Sequence, residues 1–192
     1  MKPFHGLFFN KERVCPWWLA WTFDNPLRRV IHKPEAIVGP YLHEGMTVAD
    51  IGCGMGYFSL AMAKIVGEGG IVIAVDLQQK MLDLMQARAG KAGVAHQVHS
   101  VRATTEDIGI KDPVDFVLLF WMAHEVKNIP RFFGQIYSVL KKGGNVLYVE
   151  PRLHVANRRF QEILGHARQA GFQINEAPLI RLSRAAVLSK KG

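Results

Sequence analysis

Short apolar runs alternate with stretches in which apolar residues return every three or four positions. Thr47–Ile51, Ile71–Asp76 and Val114–Phe120 are almost unbroken β-branched, aliphatic and aromatic runs, the pattern of strands buried on both faces. After the second run, Leu77, Met81, Leu84 and Met85 return at helical spacing and the pattern stops near Gly90. Phe133, Ile136, Tyr137 and Leu140 mark a helix face with Gly143 as its stop, and Phe160, Ile163, Leu164 and Ala167 mark another that ends at Gly171. Residues 96–101 alternate well enough for a third strand at the outside of the sheet, and 145–149 form a fifth. Residues 172–174 and 185–188 supply a closing antiparallel hairpin. Strands alternating with helices predict an α/β fold, a doubly wound, mostly parallel seven-stranded sheet with an antiparallel last strand. Residues 41–192 form that domain. Residues 1–40 are expected to form a helical cap, not an independent domain, in which Pro16, Pro26 and Pro34 open short helices and Asn25 is an N-cap.

The most informative joint lies between the first two strands. Gly52-Cys53-Gly54-Met55-Gly56 follows Thr47–Ile51 directly. Alternate glycines let the chain turn sharply into a helix and let a ligand reach the main chain without meeting a Cβ. Asp76 closes the second strand, about 20 residues on, where an acid takes ribose hydroxyls. A dinucleotide site would require a glycine where Tyr57 stands. Asp50, at the end of the first strand, would repel a pyrophosphate and favour a ligand carrying an ammonium and a sulfonium. S-adenosylmethionine is such a ligand.

On these residues the chain resembles the class I S-adenosylmethionine-dependent methyltransferases. The stretch from Val48 through Gly56 is similar to their first motif, and Ala74-Val75-Asp76 is similar to their second. Leu140-Lys141-Lys142-Gly143-Gly144 is similar to a late turn in which Lys142 replaces the usual proline. The resemblance is close over about residues 40 to 150, and within the family it points to the small-molecule type, similar to the ubiquinone and menaquinone methyltransferases. It implies a Rossmann-like fold and S-adenosylmethionine as cofactor, with S-adenosylhomocysteine as product. It also implies a cofactor site made of Asp50, Gly52, Cys53, Gly54, Met55, Gly56, Tyr57, Asp76, Leu77, Thr104, Thr105, Glu106, Phe120 and Trp121. The family's adenine-contacting acid falls on Thr104, so a hydroxyl and backbone amides are left to meet the adenine edge. Thr104 or Thr105 equally suits a helix N-cap.

Composition narrows the setting. At 192 residues the chain has the length of one domain, able to bury about 70% of the surface its unfolded form exposes. Cys15 and Cys53 are too few and too far apart for a disulfide framework or a metal site, which fits a cytoplasmic compartment and no bound metal. No stretch has the length of a transmembrane helix or the form of a signal peptide. The net charge of +8 is spread over short pairs such as Arg28-Arg29 and Lys141-Lys142, which read as solvated faces. The same charge keeps nucleic acid as a less favoured partner than a small-molecule acceptor. Nothing in the chain specifies an oligomeric state.

Methyl transfer needs alignment first and a base only when the acceptor is a thiol, hydroxyl or acidic carbon. His124, after the fourth strand, and His154, after the fifth, project to one rim of an open sheet and are the candidate bases, with a helix-capping or space-filling role as the alternative for each. Trp17, Trp18 and Trp21 make one apolar surface of the cap. With Met122 and Glu150 they are the candidate acceptor contacts, although the tryptophans equally suit plain packing on the core. The Asn-Pro-Pro-Tyr motif of exocyclic-amine methylation is absent where Phe120-Trp121-Met122-Ala123 stands, and no Pro-Cys pair serves cytosine-carbon chemistry there. A small-molecule methyltransferase is therefore expected, ahead of an RNA or protein methyltransferase or a non-catalytic cofactor-binding protein.

Overall fold

The computed structural model describes residues 31–175 and 178–192. Most of the expected cap, with Trp17, Trp18, Trp21, Pro16, Asn25 and Pro26, lies outside them. The described chain begins with a short helix α1 (Pro34–Val38), opened by Pro34 as expected, and a 3-10 turn (Gly39–Tyr41). There follow β1 (Thr47–Ile51), α2 (Ser59–Val66), β2 (Ile71–Asp76), α3 (Gln79–Lys91), β3 (Val98–Arg102) and β4 (Val114–Phe120). The remainder is α4 (Ile129–Val139), β5 (Leu140–Pro151), α5 (Asn157–Gln169), β6 (Gln173–Ile174) and β7 (Ser183–Ser189).

The seven strands form one sheet in the order β3-β2-β1-β4-β5-β7-β6. Strands β1 to β5 are parallel, whereas β7 runs antiparallel to both β5 and β6. The expected fold is the observed one, including β3 as an outer strand. Its order reverses between β1 and β4, which opens a crevice beyond their carboxyl ends.

Residue alternation along the strands divides the core. Ala49, Ile51, Val117, Leu119, Val146 and Tyr148 face α4 and α5, where they meet Phe133, Ile136, Phe160 and Ile163. Val48, Phe116, Leu118, Leu147 and Val149 face the other layer, against Val38, Met62, Val66, Leu82 and Met85 of α1, α2 and α3. Burial on both sides explains why these strands are apolar at almost every position instead of every second one.

One element boundary differs from expectation. Helix α4 ends at Val139, four residues before Gly143, and Leu140 already pairs with Val114 in the sheet. The reason is tertiary: Lys190 Nζ donates to the carbonyls of Tyr137 and Leu140 at 2.6 and 2.7 Å, supplying partners that a glycine cap would otherwise provide. At the other end, Asn128 Oδ1 accepts from the Arg131 amide as an N-cap.

Candidate active site

The turn after β1 is built from three glycines with different duties. All have positive φ: 75° at Gly52, 53° at Gly54 and 80° at Gly56. A Cβ on Gly52 would lie 2.8 Å from Met122 Cβ, and one on Gly56 would lie 2.6 Å from Met85 Cγ, so both positions are closed by packing. A Cβ on Gly54 would meet nothing within 4 Å. Gly54 is thus the point at which a ligand can approach bare main chain.

Asp76 ties this turn to the next strand. Its Oδ2 accepts from the Gly54 amide at 3.0 Å and its Oδ1 from the Gln78 amide at 2.9 Å, which leaves lone pairs for further donors. Burial raises its pKa against the lowering effect of the amides at Gln78, Gly54 and Leu77. Asp50 is 3% exposed and accepts from Ser59 Oγ at 2.5 Å, so it sits behind the turn. Its charge still reaches the turn: burial first, then Asp50 and Asp76, push the Cys53 thiol well up. Cys53 is therefore a protonated, unreactive thiol whose Sγ donates to the Gly54 carbonyl. Met55 is buried, and Tyr57 donates its hydroxyl to the His32 carbonyl at 2.6 Å.

The loop after β3 passes beside Asp76, whose carbonyl accepts from the Ala103 amide. No helix begins there, so the N-cap alternative for Thr104 and Thr105 falls. Thr104 Oγ1 instead accepts from the amides of Glu106 and Asp107 in a local turn. Glu106 is exposed and pairs with Arg131 at 3.3 Å.

At the ends of β4 and β5 a second group assembles. The His124 amide donates to Glu150 Oε1 at 2.9 Å, and its Nδ1 lies 2.7 Å from Glu150 Oε2. Glu150, expected against the acceptor, is fully buried and gives both oxygens to His124. Burial by itself would lower the histidine pKa, but the hydrogen bond and charge of Glu150, helped by Glu125, raise it. Nδ1 is the donor in this pair, so neutral His124 keeps its lone pair on Nε2. His154 stands edge-on to it with ring centroids 4.9 Å apart, so the two histidines do share one rim.

Trp121 adopts φ 61°, an uncommon conformation for a bulky residue. Its amide donates to the Val149 carbonyl and its Nε1 to Ser183 Oγ, at 2.8 and 3.0 Å. Its ring stacks on Phe120 and meets His32 edge-on. His32 is 2% exposed and its Nε2 lies 2.8 Å from the Arg181 carbonyl. Sequence reasoning missed His32 and Ser183, which reach the site across 62 residues or more and carry no local motif.

Residues 48–144, just over half of the chain, match the family model described as Methyltransferase domain. The chain belongs to this family, the S-adenosylmethionine-dependent class I methyltransferases. A ubiquinone/menaquinone biosynthesis C-methyltransferase of Vibrio vulnificus is 30% identical over 107 residues, which cover 55% of this chain and 41% of that protein. A demethylmenaquinone methyltransferase of Symbiobacterium thermophilum is 29% identical over 117 residues, covering 60% and 47%. The chain thus spans less than half the length of these curated relatives. A S-adenosylmethionine-dependent methyltransferase structure from Aquifex aeolicus superposes with a TM-score of 0.82 at 22% identity, over 91% of this chain and 98% of that one. The residues present fit S-adenosylmethionine: Gly54 is open to a ligand, Asp76 keeps lone pairs for ribose hydroxyls, and the buried Asp50 puts a carboxylate behind the turn, which favours a cationic ligand.

Proposed function

We propose that the chain methylates a small-molecule acceptor whose attacking atom must first lose a proton, and that His124 takes that proton. The observation that carries this reading is the His124–Glu150 pair at 2.7 Å, buried on the acid side and set on the rim that also carries the glycine turn. The bound cofactor supplies a methyl group on a positively charged sulfur, which needs no acid to leave. Gly54 and Asp76 hold the nucleoside part, and the charge of Asp50 favours the cationic part. Leu77, Phe120 and Trp121 contribute apolar surface, with Met122 lying over Gly52.

Glu150 is a positioning residue. It fixes the Nδ1–H tautomer of His124 and makes Nε2 more basic, so that Nε2 accepts the acceptor's proton as the new bond to carbon or oxygen forms. His154 is a second base on the same rim. The C-methyltransferase name of the Vibrio relative, beside the demethylmenaquinone methyltransferase name of the other, supports an acceptor activated in this way, as a ring carbon or hydroxyl of a quinone precursor would be. A cytoplasmic setting goes with this reading. The test is an acceptor screen scored by formation of S-adenosylhomocysteine, with phenolic and quinol compounds set against RNA and peptides. Turnover confined to RNA or peptide would overturn it.

A further inference from the structure

Among the described residues, the exposed large apolar side chains are Leu153, Leu179 and Leu182, at 95%, 99% and 48% exposure. All three lie at one end of the sheet, on the loop after β5 and the loop before β7. These loops are tied together: the Arg152 amide donates to the Leu182 carbonyl at 2.9 Å, and Arg184 Nη1 donates to the carbonyls of Arg152 and Val155. Three leucines on one tied pair of loops form a patch, whereas an isolated exposed leucine would need no explanation.

The surroundings of the leucines are cationic. The two stretches from Pro151 to Glu162 and from Asn175 to Arg184 carry Arg152, Arg158, Arg159, Arg181 and Arg184 against two acids, Glu176 and Glu162, the latter paired with Arg159. Arg152 and Arg181 are exposed beside the leucines. A shallow cavity of about 690 Å³ between the two loops is lined by Arg152, Arg181 and Arg184 together with Leu179 and Leu182.

We propose that this patch seats the protein on an anionic phospholipid bilayer, the leucines entering the headgroup boundary and Arg152 and Arg181 meeting lipid phosphates. The combination of residues selects this partner. A polyanion such as RNA would use the arginines but gain nothing from fully exposed leucines, for which aromatic stacking surfaces would be expected instead. Apolar tips flanked by basic residues are what an anionic membrane surface rewards. The patch borders the active site, since Ser183 holds Trp121 and the Arg181 carbonyl faces His32. An acceptor dissolved in the bilayer would therefore reach the site directly, a corollary that rests on the methyl-transfer reading.

The experiment is co-sedimentation of the full chain with vesicles, either phosphatidylcholine alone or equimolar phosphatidylcholine and phosphatidylglycerol. Calorimetric binding of S-adenosylhomocysteine is followed in parallel as a separate readout of the fold and of the cofactor site. The full chain is expected to bind the anionic vesicles at least ~10-fold more strongly. Each of Arg152→Ala and Arg181→Ala should weaken that binding about fivefold. Leu153→Asp/Leu179→Asp should weaken it at least ~10-fold with unchanged cofactor binding. The milder Leu179→Ser, at a side chain that touches almost nothing, should weaken it in the same direction and guards against misfolding of the double variant. No preference for anionic vesicles would overturn the proposal. So would leucine variants that bind as the wild type does, and so would full displacement by polyuridylate, because the surface would then recognise any polyanion. Loss of cofactor binding by the wild type would instead strike the methyltransferase reading and leave the docking result standing.

Discussion

The two halves of the active-site rim are built in opposite ways. The proposed cofactor half lies on the ends of β1 and β2, and its defining contacts span 22 residues at most: Gly54 to Asp76, Asp76 to Gln78, Asp50 to Ser59. Its working parts are mostly main chain, shaped by glycines at positive φ. The proposed acceptor half lies on the ends of β4, β5 and β7 and is made of side chains. Its contacts bridge 26 residues between His124 and Glu150, 62 between Trp121 and Ser183, and 149 between His32 and Arg181. A backbone cradle can serve one invariant ligand through local sequence, whereas a side-chain pocket is assembled by the whole fold and is free to follow its acceptor.

The halves also treat charge differently. Asp76 would serve a ribose as a carboxylate; burial raises its pKa, and the amides of Gln78, Gly54 and Leu77 offset part of that rise. As the proposed base, His124 would act when neutral, although Glu150 favours its protonated form. Its raised pKa stabilises the fold fully below the ordinary histidine value of about 6.5, and that contribution is lost as pH rises through the folded value. In the role proposed for it, His124 would become available as a base over the same rise in pH, so the pair would give up stability where activity is gained.

The sharpest way to break the contrast is within the glycine turn. Gly56→Ala combines a left-handed conformation with a Cβ 2.6 Å from the buried Met85, and should destabilise the fold by about 2 to 5 kcal/mol in chemical denaturation. Gly54→Ala meets open space, so it should cost only about 1 to 2 kcal/mol of stability. Its expected damage is to binding of S-adenosylhomocysteine. Equal stability losses in the two variants would show that the turn has no open side.

On the acceptor side, His124→Ala should lower the single-turnover rate by ~10²-fold or more while cofactor affinity is unchanged, with His154→Ala doing less. A pH profile is the finer probe. Wild-type activity should rise with pH through a pKa above 6.5, and Glu150→Gln, by removing the negative charge beside Nδ1, should move that limb to lower pH and reduce the plateau by ~10-fold. A limb that stays in place would mean that Glu150 only holds the loop.

The same contrast explains what could be read from the chain. The strands and the glycine turn were legible because burial on both faces imposes continuous apolar runs and because the turn's conformations require glycine at fixed positions. The shared rim of His124 and His154 followed from topology alone. The role of Glu150 was not legible: an acid after a strand looks the same whether it faces an acceptor or another side chain. His32 and Ser183 had no signal at all, since each acquires its neighbours through contacts distant in sequence. The early end of α4 was hidden for a similar reason, because Lys190, some fifty residues away, supplies the cap.

The turn after β1 and the acid ending β2 are expected to bind the cofactor independently of the acceptor half. Calorimetric titration of S-adenosylhomocysteine into the wild type, Asp76→Ala and His124→Ala tests it most directly. The wild type and His124→Ala should bind alike, and Asp76→Ala should bind more weakly by about 1.5 to 3 kcal/mol, roughly 10- to 150-fold in Kd. Absence of binding to the wild type, or equal binding by a folded Asp76→Ala, would contradict it.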